Sequence, residues 1–233
     1  MSRVEPKHIA IVPARHGSKG LKNKNFLNFC GRPLYQHAVE QALRVADMCI
    51  LSTDNSAILK QTNPKEKFMI HSRPPQLASD RSPIDQSLID IIKKFNLKNQ
   101  TIILLQPTSP LRTDADIEAA LALYKASNFD LVISVCSTDS KILKSGFTRG
   151  KTFIPMSKSK YLFMNRQSLP SIFKPNGAIF IFDSNWFIKN KGFETDKIGH
   201  ILMDEELSMD IDDEKDFKIA ERLFCSHINS NIN

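Results

Sequence analysis

The 233-residue chain is 41% hydrophobic, 24% charged and 8% aromatic, which excludes a disordered tail, a fibrous repeat or a collagen-like chain and leaves one globular domain. No apolar run approaches the ~18 residues of a membrane span, and the polar stretch Met1–Pro6 lacks a signal-type apolar region, so a soluble cytoplasmic protein is expected. The net charge of +7 calls for an anionic partner, and it is uneven: six basic residues between Pro6 and Val39 and eight between Ser140 and Phe182 stand without one acid, leaving a body of −7 elsewhere.

In chain order, His8–Pro13 reads as a buried strand running into a polar, glycine-bearing loop, residues 13–25. Its glycines let backbone approach a ligand closely, and Arg15, Lys19 and Lys24 can neutralise a polyphosphate. The loop is neither GxxxxGK[ST] nor GxGxxG; the bland alternative is a solvated basic loop. Pro33 opens a helix with Leu34, His37, Ala38, Gln41, Ala42 and Val45 at helical spacing. Met48–Leu51 and Phe68–Ile70 follow as strands. Ser82 is expected to cap a helix whose first residue is Pro83, with Ile84, Leu88, Ile91, Ile92 and Phe95 as its apolar face.

Ile102–Leu105 has the unbroken apolar character of a central strand covered on both sides. It ends in Gln106-Pro107-Thr108-Ser109-Pro110-Leu111-Arg112-Thr113, where two prolines fix a tight exit. Gln106 there offers a donor and an acceptor suited to sugar hydroxyls or an amide, and Thr113 caps the next helix. Leu131–Val135 is another strand. Alternation fails over about 137–175, a basic insertion with short strands expected at Phe153–Ile154 and Tyr161–Phe163, then resumes with Ala178–Phe182, Ile201–Met203 and a helix over about 213–228. Before that helix, Asp210 and Asp212 flank Ile211; in an extended segment both carboxylates face one way, and oxygen-only ligands favour Mg²⁺. A helix N-terminus dressed with acids would look the same.

Cys30, Cys49, Cys136 and Cys225 are far apart and form no CxxC, so no disulfide framework is expected, and Cys49 and Cys136 read as buried thiols. The six histidines show no zinc spacing. The β-α-β-α succession predicts an α/β fold, three layers around a mainly parallel sheet, with ligands beyond the carboxyl ends of its strands.

The string Pro13–Asn25, the octet Gln106–Thr113 and Ser208–Asp213 together resemble the CMP-sialic acid synthetases, the acylneuraminate cytidylyltransferase family, over about residues 8–222. The resemblance implies a Rossmann-like nucleotidyltransferase fold that joins CTP to a nine-carbon α-keto acid sugar, giving the CMP-sugar and pyrophosphate. It implies that Arg15, Ser18, Lys19, Lys24, Asn25 and Arg73 bind the nucleotide, with Lys24 or Arg15 nearest the departing pyrophosphate. Asp210 and Asp212 would hold Mg²⁺, and Asp210 would accept the proton of the attacking hydroxyl. Gln106 would face the sugar, with Lys144 and Arg166 reaching it from the other subunit of a homodimer through residues 137–175 as a dimerisation arm.

Three departures bear on the sugar more than on the reaction: Lys174 where the family commonly has Arg, Phe180 where Tyr is frequent, and an Asp80–Pro83 segment one residue short. Legionaminic, pseudaminic or another acidic sugar is the nearest alternative substrate, and Kdo is disfavoured by the first loop. A nucleic-acid-binding module predicts a basic face interleaved with aromatics, whereas these cations cluster in two windows opposite a DxD. An inactive scaffold is disfavoured because every essential position is filled.

Overall fold

The computed structural model describes residues 7–17, 20–60, 67–79 and 82–230. Seven strands form the central sheet: β1 (His8–Pro13), β4 (Met48–Thr53), β5 (Phe68–Ser72), β6 (Thr101–Leu105), β7 (Leu131–Thr138), β10 (Ile172–Asp183) and β11 (Ile198–Leu202). Two small hairpins, β2 (Asn28–Phe29) with β3 (Arg32–Pro33) and β8 (Gly146–Arg149) with β9 (Thr152–Pro155), lie outside it. The helices are α1 (Leu34–Val45), the short α2 (Ser56–Leu59), α3 (Ile84–Lys94), α4 (Asp114–Ala126), α5 (Ser184–Asn190) and α6 (Glu214–Ser230).

The sheet order is β5-β4-β1-β6-β10-β7-β11. Every neighbouring pair is parallel except those of β10, which runs antiparallel between β6 and β7. The strand period of two sorts the core: Ala10, Val12 and Ile103 pack with Ala38, Val39 and Ala42 of α1 and Ile117, Ala120 and Leu121 of α4. Ile9, Ile11, Ile102 and Leu104 pack the other way, with Leu88, Ile91 and Ile92 of α3 and Phe187 of α5. Three layers around a mainly parallel sheet are what the β-α alternation predicted.

Several local expectations change. Pro83, not Ser82, is the cap of α3, and the Ser82 hydroxyl instead donates to the Gln76 carbonyl at 2.7 Å. Tyr161–Phe163 lies in a 3₁₀ turn, Ser159–Phe163, rather than a strand. Thr113 does cap α4, through a capping box with Asp116. Strand β10 starts well before Ala178 and carries an irregularity: Pro175 pairs with Val135 and Phe180 with Ile133, so four residues of β10 oppose Ser134 alone. Gly177, at φ 77°, sits in that bulge.

Cys49 and Cys136 are buried free thiols, as expected, but Cys30 and Cys225 form a disulfide, which the sequence reading did not anticipate. The reason is tertiary. Cys30 (φ 44°) and Gly31 (φ 85°) make the two-residue turn of the β2-β3 hairpin, and Phe217 and Ala220 of α6 pack with Phe29 of that hairpin and Leu34 at the start of α1. Closing a loop of 195 residues is worth about 5 kcal/mol in the chain-entropy picture. Among the described residues, no helix is long and apolar enough to cross a membrane.

Candidate active site

The carboxyl ends of β1, β5 and β6 converge on a cavity of about 230 Å³ whose lining includes Arg15, Lys24, Asn25, Arg73, Ser87, Gln106, Asp210 and Asp212. The loop after β1 is shaped by its own polar groups. Gly17 (φ 77°) donates its amide to Asn23 Oδ1 at 3.0 Å, Asn23 takes the left-handed conformation (φ 56°), and the His16 amide donates to Asp54 Oδ1 at 2.6 Å. Ser18 and Lys19, two of the expected nucleotide ligands, lie outside the described residues. Asn25 Nδ2 donates to the Arg15 carbonyl at 3.1 Å, while its Oδ1 is buried without a partner among the described residues. In the wall of a cavity such a carbonyl can accept from a ligand or from water.

Lys24 reaches across to the DxD segment. Its Nζ donates to the Ile211 carbonyl and lies 3.3 Å from Asp212 Oδ1, and 15% of its side chain is exposed against 80% of that of Asp212. The two segments also touch through backbone. A Cβ on Gly20 would press directly on the Asp212 carbonyl oxygen, so glycine is required there for close approach. Ile211 is fully buried beside Phe29 and Phe217, and its amide donates to the Thr108 carbonyl at 2.8 Å. That anchor turns Asp210 and Asp212 to the cavities, the alternation expected from the sequence.

Arg73, 5% exposed, has its pKa pushed down to about 10 by burial and stays charged at neutral pH. Asp210 is shifted up, first by lost hydration and then by Asp212, against a hydrogen bond from Thr108. Gln106 is set by Arg112. The Arg112 Nη1 donates to the carbonyls of Gln106 and Ala178, each at 2.9 Å, and its Nε donates to Gln41 Oε1 at 2.7 Å. Burial lowers the Arg112 pKa to about 9.

A second cavity, about 680 Å³, shares Gln106, Asp210 and Asp212 with the first and extends over Ser137, Thr138, Asp139, Lys174, Asn176, Gly177, Phe180 and Glu205. Lys144 and Arg166 line neither cavity of their own chain. Lys144 Nζ donates to the Met164 carbonyl within the arm, and Arg166 Nη2 lies 3.8 Å from Asp139 Oδ2. The sequence reading did not place Glu205, Ser87 or the Asn176 network at the site. Asn176 Oδ1 accepts from Ser134 Oγ at 2.5 Å, and its Nδ2 donates to Ser208 Oγ at 2.9 Å, tying β7 and β10 to the DxD segment. The available signal was Ser134, a lone hydroxyl inside the apolar run Leu131–Val135.

A family model described as cytidylyltransferase matches residues 9–226. The chain is 34% identical over 223 residues to the N-acylneuraminate cytidylyltransferase of Escherichia coli O18:K1:H7 (strain RS218 / NMEC), covering 92% of this chain and 51% of that protein. It is 29% identical over 223 residues to the CMP-N,N'-diacetyllegionaminic acid synthase of Legionella pneumophila subsp. pneumophila (strain Philadelphia 1), covering 92% and 95%. The chain thus spans about half the length of the N-acylneuraminate cytidylyltransferases it matches. Its fold is similar to a solved CMP:2-keto-3-deoxy-manno-octonic acid synthetase complexed with CTP, with TM-score 0.68, 17% identity, and 95% of this chain and 99% of that one covered.

Proposed function

Because the chain belongs to the cytidylyltransferase family, its family model spanning residues 9–226, we propose that it transfers CMP from CTP to the anomeric hydroxyl of a nine-carbon α-keto acid sugar, releasing pyrophosphate. The observation that carries this reading is the pair of cavities meeting at Gln106, Asp210 and Asp212. The smaller is walled by Arg15, Lys24 and Arg73 and suits a nucleotide; the larger holds Lys174, Asn176 and Glu205 and suits a polyhydroxylated acid. The shared residues stand where the α-phosphorus and the attacking hydroxyl would meet.

Phosphoryl transfer of this kind leaves the protein mainly positioning and charge stabilisation to perform. Arg15, Lys24 and Arg73 hold the triphosphate, with Ser18 and Lys19 assigned the same role by the family pattern, and Asn25 accepts from the nucleotide through its unpaired Oδ1. Lys24 faces the departing pyrophosphate. Gln106 orients the sugar, and Lys174 meets its carboxylate as a point charge rather than a bidentate fork. Asp210, which lines both cavities where they meet, takes the proton of the attacking hydroxyl.

Asp210 and Asp212 fit Mg²⁺: both are hard oxygen donors, and no group of three or more His, Cys, Asp or Glu among the described residues offers a complete cage, so substrate oxygens and water would fill the remaining positions. When bound there, the ion neutralises phosphate charge and acidifies the attacking hydroxyl.

A homodimer with shared active sites is part of the same reading. Seven of the eleven large apolar side chains exposed among the described residues lie between Ile142 and Phe173, with Phe163 87% exposed, and this enrichment of exposed apolar groups in the arm supports a contact face there. Lys144 and Arg166 are then offered across it to the partner's sugar cavity. CTP as co-substrate accords with a cytoplasmic enzyme.

The test is pyrophosphate release with CTP and a panel of N-acylneuraminic, legionaminic, pseudaminic and Kdo acids. Turnover is expected with at least one nine-carbon acid and not with Kdo; no release with any acid would sink the reading. A further expectation concerns the contact between the two loops. Gly20→Ala forces the loop off the Asp212 carbonyl, and a displacement of that order should cost about 100-fold in kcat/KM. Circular dichroism on the same variant separates this from unfolding.

A further inference from the structure

Behind the smaller cavity, Ser52, His71 and Asp90 form a chain of hydrogen bonds, and none of the three lines either cavity of the site. Ser52 and His71 are paired neighbours on β4 and β5, and both are fully buried. Ser52 Oγ and His71 Nδ1 are 3.0 Å apart, and His71 Nε2 and Asp90 Oδ2 are 2.8 Å apart. On its other side Ser52 Oγ receives Arg73 Nε at 3.1 Å.

The order of protons follows from the end groups. A guanidinium only donates and an ionised carboxylate only accepts. Arg73 Nε–H therefore donates to Ser52 Oγ, the Ser52 hydroxyl donates to His71 Nδ1, and His71 Nε2–H donates to Asp90. Every bond in the chain is made with the imidazole in one neutral tautomer. Burial, the largest influence on His71, lowers its pKa against the pull of Asp90, with Lys94 and Arg73 as the facing cations and the Phe95 ring packed 6.1 Å away.

The same three residue types form hydrolase triads, but here the hydroxyl is sealed. Ser52 lines neither cavity of the site and carries the Arg73 guanidinium where a substrate would have to approach.

We propose that His71 is a positioning residue for the nucleotide: through Ser52 it fixes the Arg73 guanidinium in the cavity wall, and Asp90 on α3 anchors the far end. Arg73 leaves β5 with its amide bonded to the Thr53 carbonyl at 2.9 Å, and Nη2 lies 3.5 Å from the Ser52 carbonyl, so the Nε bond is the short side-chain contact that sets the plane of its fork. Helix α3 also gives Ile84 and Ser87 to the cavity wall. The relay therefore joins the helix that closes the cavity to the cation inside it. This rests on the proposed role of Arg73 at the nucleotide.

The test is steady-state kinetics with each substrate varied separately. His71→Phe keeps the ring's bulk and removes the acceptor; Ser52→Ala removes the next link. Each should raise the KM for CTP about tenfold, the size of one lost hydrogen bond to a charged group, with the KM for sugar unchanged. The double variant should be no worse than Ser52→Ala alone, because both act through one chain. His71→Asn, whose Oδ1 can stand in for Nδ1, should restore most of the CTP affinity.

If Arg73→Ala raises the CTP KM while His71→Phe and Ser52→Ala do not, the relay is overturned and the nucleotide reading survives. If Arg73→Ala itself leaves the CTP KM unchanged, the nucleotide reading has failed. Equal loss toward both substrates, or additive effects in the double variant, also overturns the relay. Should His71→Phe not fold, Ser52→Ala and Asp90→Ala, at the half-buried end of the chain, decide: a CTP-selective rise in both supports the relay, and its absence in either refutes it.

Discussion

Lys24→Met is expected to lower kcat for pyrophosphate release by about 10²–10³-fold, the cost typical of removing one preorganised charge from a transition state. Lys24 is placed before any substrate arrives. Its Nζ is held by the Ile211 carbonyl and by Asp212, and the side chain is mostly buried in the wall of the smaller cavity. Such a cation needs no reorganisation as charge builds on the leaving oxygens. Methionine keeps the length and apolar stem, so the fold should persist. A kcat within threefold of the parent enzyme, measured with both substrates saturating, would contradict the role.

The second large effect is expected at Asp210. Asp210→Asn removes the proposed proton acceptor and one of two carboxylates, and should reduce kcat by about 10²–10⁴-fold. Stability should move the other way. The raised pKa means that the folded protein holds the Asp210 proton more tightly than the unfolded chain does. Its contribution is therefore favourable below the ordinary carboxylate pKa and is lost as pH rises through the raised value, leaving the ionised group a cost at neutral pH. The neutral amide escapes that cost. In metal-free buffer, thermal unfolding of Asp210→Asn should come above that of the parent at pH 7, with the gap closing toward pH 4. A lower melting point at pH 7 would remove desolvation and Asp212 as the causes.

Much of this was legible along the chain because the information is local. Short continuous apolar runs marked β1, β4 and β6, helical spacing marked α1 and α3, and Thr113 announced α4. The loop cations and the DxD were found because glycines, prolines and acids declare backbone needs and charge directly. What stayed hidden depends on contacts between distant residues. The antiparallel direction of β10 is decided by pairing with β6 and β7. The Cys30–Cys225 bridge exists because α6 packs on a hairpin 195 residues away in sequence. His71 looks unremarkable in its strand until Ser52 and Asp90 arrive from β4 and α3. Propensity carries no record of such meetings.

The irregularity in β10 has a consequence for how the two halves of the site can vary. Beyond the bulge at Gly177, residues 179–183 are stitched between β6 and β7 in the middle of the sheet. Before it, residues 172–175 pair with β7 alone and carry Lys174 into the larger cavity. On the proposed reading, the nucleotide cavity then rests on β1 and β6, strands paired on both sides, while the sugar cavity takes Lys174 from a stretch of β10 paired on one side only. Substitutions on that one-sided stretch would, on the same reading, retune which acid is accepted while leaving the β6–β10 register in place, so that one frame could serve a succession of different sugars.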